Sequence, residues 1–165
     1  PEMTARTLSP DGWLNTGDIG YRVGESIMIT GRSKDLIIIN GRNIWPQDLE
    51  QLAEQQPDVR PGDALAFAVP GPDGADVAVM VVQYRDRDSD KRAGLIRHLQ
   101  GVILAEVGVD CHIELAPLHT LPRTSSGKLS RSKARQNYID AHPLNKVDVL
   151  HSREATAVLS QKQAG

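Results

Sequence analysis

Gly31-Arg32-Ser33-Lys34-Asp35-Leu36-Ile37-Ile38-Ile39-Asn40-Gly41-Arg42-Asn43 decides how this chain is read. A charged stretch runs straight into a short apolar run, Leu36 to Ile39, and out again into polar residues. So short a run, rich in β-branched residues and bounded by turn formers, favours a buried strand over a helix. The basic residues on either side are not needed to build a core. A second loop of similar character lies far downstream, Leu121-Pro122-Arg123-Thr124-Ser125-Ser126-Gly127-Lys128. Pro122 stiffens its start, small hydroxyl residues follow, Gly127 permits unusual backbone angles, and one lysine stands at the end. Two loops of fixed basic groups around a short apolar strand suit a phosphate-bearing ligand.

Working outward gives an α+β pattern. Ahead of the decisive stretch, Asp11-Gly12 signals a turn. Trp13–Thr16, Ile19–Val23 and Ser26–Thr30 then read as short strands, with Gly24-Glu25 as a tight hairpin turn. After it, Pro46 suits the first turn of a helix carrying Leu49, Leu52 and Ala53 at helical spacing, closed by Pro57 and Pro61-Gly62. Ala64–Val69 and Val77–Tyr84 are expected strands joined by the turn-rich Pro70 to Gly74. Ser89 is the expected cap of a long helix whose apolar face is Leu95, Ile96, Leu99, Val102, Ile103 and Val107. Gly94 and Gly101 each weaken that helix by about 1 kcal/mol relative to Ala, so packing must hold it. Cys111–Leu115 is an expected strand and Leu129–Ile139 a last short helix, stopped before Pro143. Residues 144 to 165 read as a tail in which Arg153–Lys162 adds a helical turn or two.

The 165 residues are enough for one domain with a real core and part of another. Apolar residues make up 39% and charged residues 24%, as in soluble globular proteins. A net charge of −2 provides no global field toward nucleic acid or anionic membrane. Cys111 is the single cysteine, which excludes an intramolecular disulfide and points to a reducing cytoplasm. No stretch approaches the roughly eighteen apolar residues of a membrane span. The opening at Pro1, in a loop-like segment, reads as a piece of a longer polypeptide.

Several chemistries fall away. Ser125-Ser126-Gly127-Lys128 ends like a phosphate-binding P-loop, but Pro122 stands where the first Gly belongs and Leu129 replaces the Ser/Thr. No Gly-rich dinucleotide fingerprint is present. The five His residues show no metal-ligand spacing, and one Cys cannot complete a thiolate cluster, so no metal site is expected. Cys111 and His112 are adjacent and would point to opposite faces of a strand, which makes Cys111 a buried structural residue rather than a nucleophile. Arg123, Lys128, Arg131, Lys133 and Arg135 read as a solvated helix face, since aromatics that would stack on bases make up only 4% of the chain.

Three ordered segments carry a resemblance: Leu14-Asn15-Thr16-Gly17-Asp18, Gly31 to Asn43, and Leu121 to Lys128. Together they resemble the last three core motifs of the adenylate-forming superfamily, which includes acyl-CoA synthetases, peptide-synthetase adenylation domains, luciferases and fatty acyl-AMP ligases. The likeness spans about Asp11 to Tyr138. Gly41-Arg42-Asn43-Ile44-Trp45-Pro46-Gln47-Asp48-Leu49-Glu50 is most similar to the fatty acyl-AMP ligase branch. The fold this implies is α+β: a small lid domain with a short β-hairpin and a three-stranded mixed sheet flanked by helices, preceded by a β-rich tail of a large domain. The implied boundaries are residues 1–33 for that tail, 34–35 for a hinge, 35–140 for the lid and 141–165 for a C-terminal extension.

The resemblance also implies roles. Asp18 matches the acid that accepts hydrogen bonds from the ATP ribose hydroxyls, since one carboxylate can take both. Arg32 matches an arginine that also contacts the ribose. Lys34 falls at the pivot, where a residue must absorb backbone change and stay exposed. Lys128 matches the catalytic lysine that stabilises charge as a carboxylate attacks the α-phosphate and pyrophosphate leaves. Gly41 would line the path of an incoming thiol. The expected cofactors are ATP and Mg, both held mainly by the large domain. The expected partners are that N-terminal large domain, a fatty acid and an acyl carrier protein (or CoA), with neither nucleic acid nor a membrane span. Two departures favour the carrier protein: Ile38 stands where many CoA-forming relatives have Lys, and Asn43 where many have Arg. The fragment is expected to be inactive alone. The alternatives are a CoA synthetase of the same fold and a non-catalytic partner-binding module; carrier protein against CoA, and the residues upstream, separate them.

Overall fold

The computed structural model describes residues 7–71 and 74–142. The expected tail at 144–165, with its helical turns, lies outside the described residues, as do most of the 141–165 extension and the stop at Pro143. The chain divides into two compact units after Leu36.

In the first unit, strands β1 (Asp18–Val23) and β2 (Ser26–Arg32) form an antiparallel hairpin about the Gly24-Glu25 turn. The register shifts between Ile19 and Gly20, leaving Thr30 as an extra residue whose hydroxyl donates to the Ile19 carbonyl at 3.0 Å. A Cβ on Gly20 would lie 2.6 Å from the Met28 carbonyl oxygen, so this close approach requires glycine. The strand expected at Trp13–Thr16 is not formed. Only Leu14 makes a single bridge, to Leu8. The Asn15 carboxamide accepts from the Gly17 N–H at 2.9 Å and the Thr16 hydroxyl from the Asp18 N–H at 3.2 Å. These local side-chain bonds replace a ladder with a turn. A 3₁₀ turn, Ser33–Asp35, closes the unit between extended residues.

The second unit opens with a smaller hairpin, β3 (Ile37–Ile39) and β4 (Arg42–Ile44). Asn40 and Gly41 both have positive φ, 51° and 75°, the geometry of a two-residue type I′ turn, which Asn-Gly favours. The apolar run is less buried than its composition suggests. Ile37 is fully buried, whereas Ile38, on the opposite face, is 53% exposed. Helix α1 (Pro46–Glu54) follows with Pro46 at its first position and Pro46, Leu49 and Ala53 buried.

The core is a three-stranded sheet in the order β5 (Ala64–Pro70), β6 (Asp76–Gln83), β7 (Cys111–Ala116), the first pair antiparallel and the second parallel. The parallel pair needs a long crossover, supplied by the 19-residue helix α2 (Ser89–Val107). Alternation divides the sheet cleanly. Ala64, Ala66, Ala78, Met80, Val82, Cys111, Ile113 and Leu115 pack with Leu49, Leu95, Leu99, Ile103 and the β3–β4 hairpin. Leu65, Phe67, Val69, Val79 and Val81 face Ala134 and Tyr138 of helix α3 (Arg131–Ala141) and the side chain of Leu121. Small residues on β5 admit the two helices on one face, and larger ones meet the single helix on the other.

Two boundaries differ from expectation. The cap of α2 is Asp88, whose carboxylate accepts from the N–H groups of Asp90 and Lys91 at 3.0 and 2.9 Å, and Ser89 is already the first helical residue. Helix α3 begins at Arg131 because Leu129 is bridged to Arg123 across the preceding hairpin. The expected solvated basic face is corrected for Arg131 and Arg135, whereas Arg123, Lys128 and Lys133 are exposed. The Arg131 guanidinium pairs with Glu50 at 2.7 Å, with side chains 16% and 14% exposed, and its Nε donates to the Ala66 carbonyl. Arg135 Nε donates to the Ala68 carbonyl at 2.8 Å, and the Ala66 N–H donates to Glu50. These arginines are spent on the outer side of β5.

Gly101 tests the reading of α2 as held by packing. It is exposed, helical and has open space where a Cβ would stand. Gly101→Ala is expected to raise stability by about 0.5–1 kcal/mol, read as an increased urea midpoint at unchanged slope.

Candidate active site

The first unit places two of the expected residues together. Asp18 opens β1 and Arg32 ends β2, and the two are directly opposite in the register. This juxtaposition depends on the bulge: were Thr30 paired regularly with Ile19, Gly31 would face Asp18 and the arginine would turn to the other side of the hairpin. Arg32 Nε lies 3.4 Å from an Asp18 carboxylate oxygen, with side chains 58% and 33% exposed. An ion pair this exposed contributes about 0–1 kcal/mol, so stability does not explain it. What it offers is an acceptor and a donor side by side on an open surface, a match for adjacent hydroxyls. Behind it, both the N–H and the hydroxyl of Ser33 donate to the Gly17 carbonyl, at 2.9 and 3.1 Å. Lys34 occupies the middle of the 3₁₀ turn, exposed, two residues before the division between the units.

Gly41 and Lys128 stand on different hairpins of the second unit. Gly41 has open space around it, so its local requirement for glycine is the positive φ of the turn rather than close approach. The neighbouring Arg42 reaches the Gly108 carbonyl at 3.2 Å, tying this hairpin to the left-handed C-cap of α2. Arg42, Asp48, Gln51, Leu52 and Glu106 line an open cleft of about 420 Å³ beside it.

Lys128 is exposed on a tight reverse turn. The Gly127 N–H donates to the Thr124 carbonyl at 2.9 Å, and the Thr124 N–H to the Lys128 carbonyl at 2.7 Å. Gly127 has φ 81°, which the turn requires. Arg123 braces the turn by donating to the Gly127 carbonyl at 2.9 Å, and the Ser130 N–H donates to the Pro122 carbonyl at 2.8 Å. The result is a compact hairpin with one ammonium beside its tip and its backbone groups tied to one another, rather than a nest of N–H groups around a phosphate. That agrees with setting aside the P-loop reading.

Cys111 is 3% exposed, and burial, aided by Asp110, pushes its thiol up to about 12. It is a core residue, as its alternation with His112 implies. Burial first, then Glu114 and Cys111, pushes the Tyr138 phenol up to about 12 as well. Both groups lose their proton more readily unfolded, at about 9.0 and 10.0. The unfolded chain therefore binds fewer protons in this range, and stability falls as pH rises above about 9. A thiol reagent at pH 8 is expected to label native Cys111 only at the opening rate and to react at once in urea; fast native labelling would place the thiol outside the core. Among the described residues, no group of three or more His, Cys, Asp or Glu could hold a metal ion by itself; Mg²⁺ needs only one or two carboxylates beside the phosphates it accompanies. No helix among them is long and apolar enough to cross a membrane.

Two structural features near the Lys128 hairpin had weak signals in the sequence. Gln83 ends an otherwise apolar strand and is buried at 4% exposure. The Glu50–Arg131 pair is separated by most of the domain, and only a fold brings it together.

No family model matches the chain. It is 52% identical, over 84% of its length, to 24% of a protein of Caulobacter vibrioides described as an acyl-CoA synthetase. A solved structure from a study of fatty acyl-adenylate ligases of E. coli and L. pneumophila aligns with TM-score 0.71 and 45% identity, over 85% of this chain and 24% of that one. McyG A-PCP complexed with phenylalanyl-adenylate aligns with TM-score 0.76 and 25% identity, over 94% of this chain and 28% of that one. The chain thus spans about a quarter of the length of the proteins it matches. In sequence and in fold it belongs to the adenylate-forming ligases, with the architecture of their C-terminal domain.

Proposed function

We propose that this chain is the C-terminal lid region of a fatty acyl-AMP ligase, which joins a fatty acid to AMP with release of pyrophosphate and passes the acyl group to an acyl carrier protein. The observation that carries this reading is Lys128, held out on a braced hairpin in a chain 45% identical to a fatty acyl-adenylate ligase structure. Attack of a carboxylate on the α-phosphorus of ATP brings anion to anion and adds charge to the phosphate oxygens. An ammonium delivered there lowers the repulsion and stabilises that charge. Asp18 accepts from the ribose hydroxyls and Arg32 donates beside it. Mg²⁺, when bound, neutralises phosphate charge; with ATP, it falls mainly to the large domain.

On this reading residues 1–33 end the large domain, Lys34 is the pivot, and the lid swings to present Gly41 to the incoming thiol. Trp13, Ile27 and Ile29, exposed at 77%, 73% and 65% in the first unit, supply an apolar surface for the large domain. The isolated chain is expected not to exchange pyrophosphate, and measurable exchange would contradict this reading.

The Caulobacter relative favours a second reading, a CoA synthetase. The full-length protein, given acyl-adenylate, is expected to acylate a holo carrier protein at least tenfold faster than CoA. Preference for CoA would establish the second reading, and absence of pyrophosphate exchange in the full-length protein would overturn both.

A further inference from the structure

Gln83 closes the central strand, and no step of the proposed reaction uses it. Its backbone N–H donates to the Asp63 carbonyl at 2.7 Å, and its Nε2 donates to the Asp63 carboxylate at 2.5 Å. Its Oε1 accepts from the backbone N–H groups of Thr120 and Leu121, at 2.8 and 3.2 Å. The carboxylate can only accept and the backbone N–H groups can only donate, so this orientation of the carboxamide alone satisfies both sides. Burying an amide is costly unless its bonds are made. Here they are made to the segment that enters the Lys128 hairpin. The exit from that hairpin is fixed too, since Arg131 bonds the Ala66 carbonyl and Glu50. The hairpin therefore grows from two roots, one tied to β6 and the other to β5.

We infer that Gln83 is a positioning residue for Lys128, holding the entry root so that the ammonium is presented at a fixed place relative to the sheet. The inference rests on the adenylating role of Lys128 proposed above. A displacement of about 1 Å in such a group can cost a hundredfold in rate. Gln83→Met keeps the length of the side chain and removes its hydrogen bonds. Asp63→Ala, at a partly exposed position, removes the partner of the Gln83 Nε2 and leaves its two Oε1 bonds in place.

The test measures both half-reactions in the full-length ligase. Gln83→Met is expected to lower kcat for acyl-adenylate formation at least tenfold at unchanged KM for ATP. Acyl transfer from supplied acyl-adenylate, which does not call on Lys128, should stay within twofold and so report intact folding. Asp63→Ala is expected to show the same pattern to a smaller degree. Added to Lys128→Ala, Gln83→Met should cost nothing further in adenylation, because the group it positions is gone. Equal loss in both half-reactions, no loss in either, or full additivity with Lys128→Ala would overturn the inference. Should Gln83→Met fail to fold, an unchanged adenylation rate in Asp63→Ala would overturn it too. Unimpaired adenylation by Lys128→Ala alone would instead refute the underlying role of Lys128, a result read with Gln83 intact.

Discussion

Lys128→Ala in the full-length ligase is expected to lower acyl-adenylate formation by about 10²–10³-fold, or roughly 3–4 kcal/mol. The residue is exposed and its side chain holds no part of the core, so this loss comes without a change in stability. Its hairpin is braced by backbone bonds and by Arg123, none of which involves the Lys128 side chain. Steady-state pyrophosphate release and a thermal melt on the same preparation check both halves. A full rate, or a lost fold, would remove Lys128 from the reacting centre. Lys128→Arg should recover little, because the broad guanidinium does not reproduce a compact point charge at the end of so tight a turn.

The second large effect is on stability. Glu50→Ala or Arg131→Ala is expected to cost about 2–4 kcal/mol, near the range for removing one member of a buried pair. Each change does more than break a charge pair. Glu50 also takes the Ala66 N–H, and Arg131 also serves the Ala66 carbonyl, so either truncation leaves a strand group unmet. For the same reason an apolar exchange at both positions should not restore the loss, although buried pairs elsewhere often tolerate it. Urea unfolding of the single and double variants checks this; a double variant as stable as the parent would show that the β5 contacts carry no weight.

Much of the architecture was legible because a short unbroken apolar run between turn formers is a local property. Ala64 to Val69 and Val77 to Val82 declare two-faced burial, and Leu95, Leu99 and Ile103 declare a helix stripe. The β4 strand was harder, since Arg42–Ile44 has no apolar run and becomes a strand only through the Asn40-Gly41 turn. Asp88 and Ser89 are both good caps by type, and only geometry shows that the carboxylate reaches two N–H groups. At Trp13–Thr16 the polar side chains of Asn15 and Thr16 outcompete strand pairing for the backbone. The Asp18, Arg32 and Lys128 positions came from motif resemblance; the register that sets Asp18 against Arg32 depends on a bulge that composition does not announce. Arg131, Arg135 and Gln83 were opaque because their partners lie far away along the chain.

The side chains ranged along β5 have a consequence for how this protein keeps company with itself. An outermost strand is normally a template on which another polypeptide can continue the hydrogen-bonded ladder, the first step toward edge-to-edge association and fibrils. On β5 a glutamate and two arginines already occupy that template at Ala66 and Ala68, and Pro70 ends it without an N–H to offer. Growth of the sheet in that direction would first have to expel an ion pair from a largely dry setting, so this border resists recruitment even where the domain is crowded.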